Sequence, residues 1–151
     1  VKNNSQKEQN EKKKAALNEY LDALKEVEYW AKKVESMEKS NGYRSMDVAT
    51  ALRQNTGQIG NPTTSTVLEL ETARENEQDT QQYAKEAKRH VLDLIKQAPT
   101  AEQRVLLMRR YIDGMSWEDA AEAEGKSRTW ATNNHGTALL HIQLPKQANS
   151  K

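Results

Sequence analysis

Residues 99–143, PTAEQRVLLMRRYIDGMSWEDAAEAEGKSRTWATNNHGTALLHIQ, decide how this chain is read. Their caps and breakers divide them into three helices. Thr100, just after Pro99, is placed to cap the first, whose apolar side is Val105, Leu106, Met108, Tyr111 and Ile112. Asp113-Gly114 stops it. Ser116 is placed to cap a second helix, Trp117 to Glu124, with Asp119 three residues on as a partial capping box. Gly125 suits the left-handed conformation that turns a chain sharply after a helix. Ser127 then caps a last helix reaching about Gln143.

Upstream, a long helix is expected from about Thr64 to Gln97, ended by Ala98-Pro99 because proline disfavours a helical residue before it. Leu70, Ala73, Glu77, Thr80, Ala84, Ala87, Val91, Leu94 and Ala98 alternate by three and four, which places them on one stripe. Residues 40–61 carry Asn41-Gly42, Gly57, Gly60 and Asn61-Pro62 and read as a flexible connection, with room for a short helix through Met46 to Arg53. Before them, residues 12–39 hold no Gly or Pro. Leu17, Tyr20, Leu24, Val27, Ala31 and Val34 form a second stripe, widened by Leu21, Trp30 and Met37. The first dozen residues are polar and are expected to fray. The fold class is therefore all-α: a coiled-coil-like helical hairpin over 1–98, followed by a compact helical domain over 99–151. Small and polar seam residues leave self-association through the long helices open.

Composition agrees with long helices rather than a large core. Of the 151 residues 35% are hydrophobic and 30% charged, and Phe is absent. The formal charge is +1, from 23 basic and 22 acidic residues, so bulk charge does not draw this chain to a polyanion. Cysteine is absent, which excludes disulfides and thiolate chemistry and favours a reducing, cytoplasmic setting. No apolar run approaches the roughly 20 residues that span a bilayer. The opening VKNNSQKEQNEKKK has no apolar run behind its lysines and does not read as a secretory leader.

Short helix, glycine turn and serine-capped helix make the outline of a helix-turn-helix, whose second helix lies in the major groove of DNA. The residues this places at the interface are Lys126, Ser127, Arg128, Thr129, Thr132 and Asn133, followed on the same helix by His135. Asn can read adenine bidentately, and Thr can contact a thymine methyl or a phosphate. Arg109 and Arg110, one helix earlier, are candidates for phosphate contact.

The RRYIDGMSWEDAAE run, the Gly125-Lys126-Ser127 turn and His135-Gly136-Thr137-Ala138-Leu139 resemble the fourth-region DNA-binding domain of sigma-70-type factors. They are closer still to small prophage proteins of Gram-positive bacteria related to ArpU- and RinA-type transcriptional regulators. The resemblance covers the last third of the chain. It implies a sequence-specific regulator in the bacterial cytoplasm, acting near a late-gene promoter on double-stranded DNA, with RNA polymerase or another phage protein as partner. The chain departs from that pattern where the family packs its two short helices through apolar residues. The matching positions are Ala120, Glu124, Lys126, Ala131 and Asn134, so either the register of the match is shifted, or Trp117, Trp130, Leu139 and Leu140 fill the space, or this unit is loosely folded on its own.

Other chemistry finds no footing. His135 and His141 are six apart, a poor spacing for joint metal ligation on a helix, and no cofactor motif is present. Glu118, Asp119, Glu122 and Glu124 lack the neighbouring His, Ser or Lys that acid–base or nucleophilic catalysis needs, so no enzymatic activity is expected. Gly57-Gln58-Ile59-Gly60 has no following Lys-Ser or Lys-Thr and is not a phosphate loop. Two further readings stand beside DNA regulation. One is a helical protein–protein interaction module whose helix-turn-helix has degenerated; the other is a small terminase-like DNA-packaging component.

Overall fold

The computed structural model describes residues 2–41 and 64–146, so the expected connection at 40–61 and its short helix fall almost wholly outside the described residues. Among the described residues every regular element is an α-helix. These are α1 (Lys2–Leu17), α2 (Glu19–Asn41), α3 (Thr64–Ile95), α4 (Ala101–Tyr111), α5 (Trp117–Ala123) and α6 (Arg128–His141). The all-α class is therefore observed. No helix among them is long and apolar enough to cross a membrane.

The polar opening, expected to fray, is helical from Lys2. Its Lys, Gln, Glu and Ala residues are good helix formers, and no Gly or Pro interrupts them. Asn18 marks a local irregularity between α1 and α2. The backbone ladder nevertheless passes through it: Asn18 N–H donates to the Lys14 carbonyl and Asp22 N–H to the Asn18 carbonyl, each at 2.9 Å.

Two compact units share these helices, and neither matches a division at residue 98. One combines the chain up to Asp22 with the chain from Lys85 onward; the other is Ala23–Ala84. The physical reason is that the ends of the long helices belong to the C-terminal core. Leu17, Val91, Leu94, Ile95 and Ala98 form one buried cluster with Leu107, Tyr111, Ala138, Leu139 and Ile142. At ~25 cal/mol per Å² of apolar surface, residues of this size each contribute about 1.5–3 kcal/mol when buried, so the ends of α1 and α3 are integral to the unit. A second cluster in the same unit joins Leu106, Ala120, Ala121 and Ala131, rimmed by Met115, Trp117 and Trp130.

Among the described residues the other unit is a helix pair. Val34 packs with Val67, Leu70 and Ala73, flanked by Trp30 and Met37, and the Arg74 guanidinium meets the Glu38 carboxylate at 3.0 Å. The expected α3 stripe is largely buried as read, with only Glu77 and Thr80 half-buried in its middle. On α2 the stripe shifts. Ala31 is exposed and Ala23 is buried, because the buried face follows the 3.6-residue turn rather than a strict heptad.

Candidate nucleic-acid interface

Three helix starts in the C-terminal unit are capped as their sequence demands. Thr100 Oγ1 accepts from Gln103 N–H, Ser116 Oγ from Asp119 N–H and Ser127 Oγ from Trp130 N–H, each at 3.1 Å. The α5 end is closed by the backbone. Gly125, at φ 67°, donates its N–H to the Glu122 carbonyl, and Lys126 donates its N–H to the Ala121 carbonyl, both at 2.9 Å. That pair of bonds is a Schellman motif, and it needs a left-handed residue where Gly125 stands.

The inner face of α6 explains the small and charged residues at positions the resemblance would make apolar. Ala120 and Ala131 are fully buried, so they hold α5 and α6 close rather than leaving a void. Glu124 meets Arg109 Nε at 2.9 Å. Asn134 donates its side-chain amide to the Trp130 carbonyl at 2.9 Å. Lys126 points out of the core, its ammonium 5.8 Å from the Trp130 ring centroid. Trp117, Trp130 and Leu139 pack inward, but Leu140, expected to help fill the core, is 59% exposed.

His135, which follows the recognition residues on α6, is buried beside Tyr111, whose hydroxyl lies 2.7 Å from Nε2, with the Trp117 ring centroid at 4.5 Å. Burial above all, then the positive charges of Lys14 and Arg110, pushes the imidazole down to about 4. Burial likewise pushes the Tyr111 phenol up to about 12, against the opposing pull of Arg110.

The outer face carries Arg128, Thr129, Thr132 and Asn133, all exposed, and continues through Gly136 and Thr137 to Leu140. Thr129, Asn133, Gly136 and Leu140 follow one another by four, three and four, so they share one line along the helix. The Thr132 hydroxyl donates to the Thr129 carbonyl at 3.2 Å and that of Thr137 to the Asn133 carbonyl at 3.1 Å, while a side-chain carbon added at Gly136 would meet nothing within 4 Å.

The expected cations are mostly engaged within the chain. Arg109 is tied to Glu124. Arg110 donates to the Met115 carbonyl at 3.0 Å and lies 4.9 Å above the Trp117 ring, so Arg110 braces the turn that starts α5 while Arg109 holds the residue that ends it. Arg128 contacts Glu118 at 3.2 Å, but both side chains are more than half exposed, and such a pair holds its partners weakly.

Three connections escaped the sequence. Lys13 Nζ donates to the Leu139 carbonyl at 2.8 Å, near the C-terminal end of α6. Gln97 and the Gln143 backbone exchange two bonds of 3.0 Å. The Tyr111–His135 pair lies within the core. Their partners stand 126, 46 and 24 residues apart, beyond any local periodicity. Among the described residues no group of three or more His, Cys, Asp or Glu is placed to hold a metal. No protein-family model, curated protein or solved structure matches this chain.

Proposed function

We propose that this chain is a duplex-DNA-binding protein that presents the outer line of α6 to base edges in the major groove. Within that class the reading is a sequence-specific transcriptional regulator of the prophage ArpU/RinA type, acting with RNA polymerase or another phage protein. The class is supported by geometry, the particular assignment by the resemblance of residues 109–139 alone.

One observation carries the class: α6 is locked on one side and polar, exposed and open on the other. A glycine inside a helix costs roughly 0.5–1 kcal/mol relative to alanine. Gly136 sits mid-helix on the outer line, where the described residues leave ample room for a methyl group. Close approach of an external surface accounts for it, and Thr129, Thr132 and Asn133 beside it are residue types that read bases. Arg128 exchanges an exposed carboxylate for a phosphate or guanine at little cost.

The test is binding of the full chain to a pool of random-sequence duplexes, followed by enrichment. Selection of a defined sequence is expected, and an Arg128→Ala/Asn133→Ala double variant should lose that preference. Equal preference in wild type and double variant would remove α6 as the reader.

A second reading, a protein–protein interaction module, is favoured by the engagement of Arg109, Arg110 and Arg128 within the chain. It predicts no duplex binding even at low salt, together with a stable complex with a protein partner.

A further inference from the structure

Resting on the DNA-binding reading, we infer that α1 is the second half of the interface: it grips the DNA phosphodiester backbone beside the C-terminal end of α6 through Lys12, with Gln9 as an additional donor. The outer line of α6 ends at Leu140, and Leu140 lines a groove whose other walls include Gln6, Gln9, Lys12 and Lys13 of α1. The groove holds about 380 Å³ and is open to solvent. A surface resting on Thr129, Asn133 and Gly136 therefore meets α1 where it leaves α6.

The chemistry on the α1 wall suits a phosphate. Lys13 is committed to the Leu139 carbonyl, and that bond fixes α1 against the end of α6. The Gln6 amide is engaged with Asn10 at 3.0 Å. Lys12 and Gln9 are exposed and make no hydrogen bond or ion pair with the described residues. Of the two nearest carboxylates, Glu11 is drawn to Lys14 at 3.4 Å, and Glu8, one turn back on the same face, makes no ion pair with the described residues. Lys126, exposed and set against the Trp130 ring, stands at the other end of α6, so the base-reading line lies between two cations. This arrangement supplies the backbone grip that the engaged arginines do not.

The test uses the full chain, an enriched duplex and a scrambled one, with affinity measured across a salt series. Each neutralised phosphate contributes a slope of about −0.9 in log K against log salt. Lys12→Gln is expected to flatten the slope by about 1 and to weaken both duplexes by the same factor, about 3- to 10-fold. Lys7→Gln makes the same change of charge on α1 away from the groove and should leave the slope unaltered. Equal effects of the two variants would reduce Lys12 to bulk charge and overturn the inference, as would a silent Lys12→Gln in a protein whose preference still depends on Asn133. If the wild type binds no duplex at low salt, the DNA-binding reading and the α1 grip fall together. Unchanged helical circular dichroism in both variants excludes unfolding as the cause.

Discussion

His135 binds a proton reluctantly because it is enclosed, and that makes it a probe of the core. Its ordinary value is 6.5, and in the folded chain it is near 4. Above 6.5 both folded and unfolded states keep the ring neutral, and the folded state has its full stability. Below 6.5 the unfolded chain takes up a proton that the folded chain refuses until about 4, so stability falls with falling pH across that window. At 1.36 kcal/mol per unit the loss between pH 6.5 and 5 is about 2 kcal/mol. Urea midpoints measured at several pH values should show this decline in wild type. His135→Gln retains a hydrogen-bonding group for Tyr111 and should lack that component. Parallel curves for the two proteins would mean that the imidazole is not buried as a neutral group. Gly125 offers a second test at the residue scale. A methyl group there meets nothing within 4 Å, so Gly125→Ala carries only the left-handed backbone penalty, about 1 kcal/mol. Thermal or urea denaturation measures it, and Gly125→Asn should lose less.

At the scale of elements, α6 allows stability and binding to be pulled apart. Ser127→Ala removes the cap on Trp130 N–H and should cost about 1 kcal/mol, read from denaturation. Gly136→Ala should do the opposite, stabilising by about 0.5–1 kcal/mol, because it adds helix propensity and clashes with nothing among the described residues. If the outer line of α6 faces DNA, the same variant binds the enriched duplex more weakly despite its greater stability. A Gly136→Ala protein that is both more stable and equally tight would show that this glycine is not kept for a partner. Helix starts and stops of this kind were legible in the sequence, because a Ser or Thr cap and a left-handed glycine act over three or four neighbouring residues. The α3 stripe was legible for the same reason. Ala120 and Ala131 were not: a small residue looks like a missing one until the distance between two helices is known. Nor were the outward turn of Leu140 and the burial of His135, because a single sequence gives the helix but not its rotation against neighbours distant in the chain.

For the molecule as a whole, the decisive feature is which segments share a core. Residues 99–151 carry capped helices and a tight turn in sequence, but their small and charged core positions leave open that they are loosely folded alone. The structure instead seals their apolar faces with Leu17, Val91, Leu94 and Ile95, all of them 7% exposed or less. Removing that side leaves Leu107, Tyr111, Leu139 and Ile142 facing water and takes away the lysine on the Leu139 carbonyl. The fragment Pro99–Lys151 is therefore expected to keep much of its helical far-ultraviolet signal, because its caps are local. Its fixed aromatic environment around Tyr111 and Trp117 should be lost, with loss of near-ultraviolet dichroism and gain of hydrophobic-dye binding. Restoring the missing side should restore order. A chain in which a short Gly-Ser linker replaces Ala23–Ala84 retains α1, the late part of α3 and the three C-terminal helices, and Tyr20 and Lys88, on either side of the splice, already lie 5.7 Å apart ring to ammonium. That shortened chain should unfold cooperatively in urea with native near-ultraviolet dichroism. Sharp cooperative unfolding of Pro99–Lys151 alone would return the domain boundary to residue 98 and make α1 and α3 dispensable to the C-terminal helices.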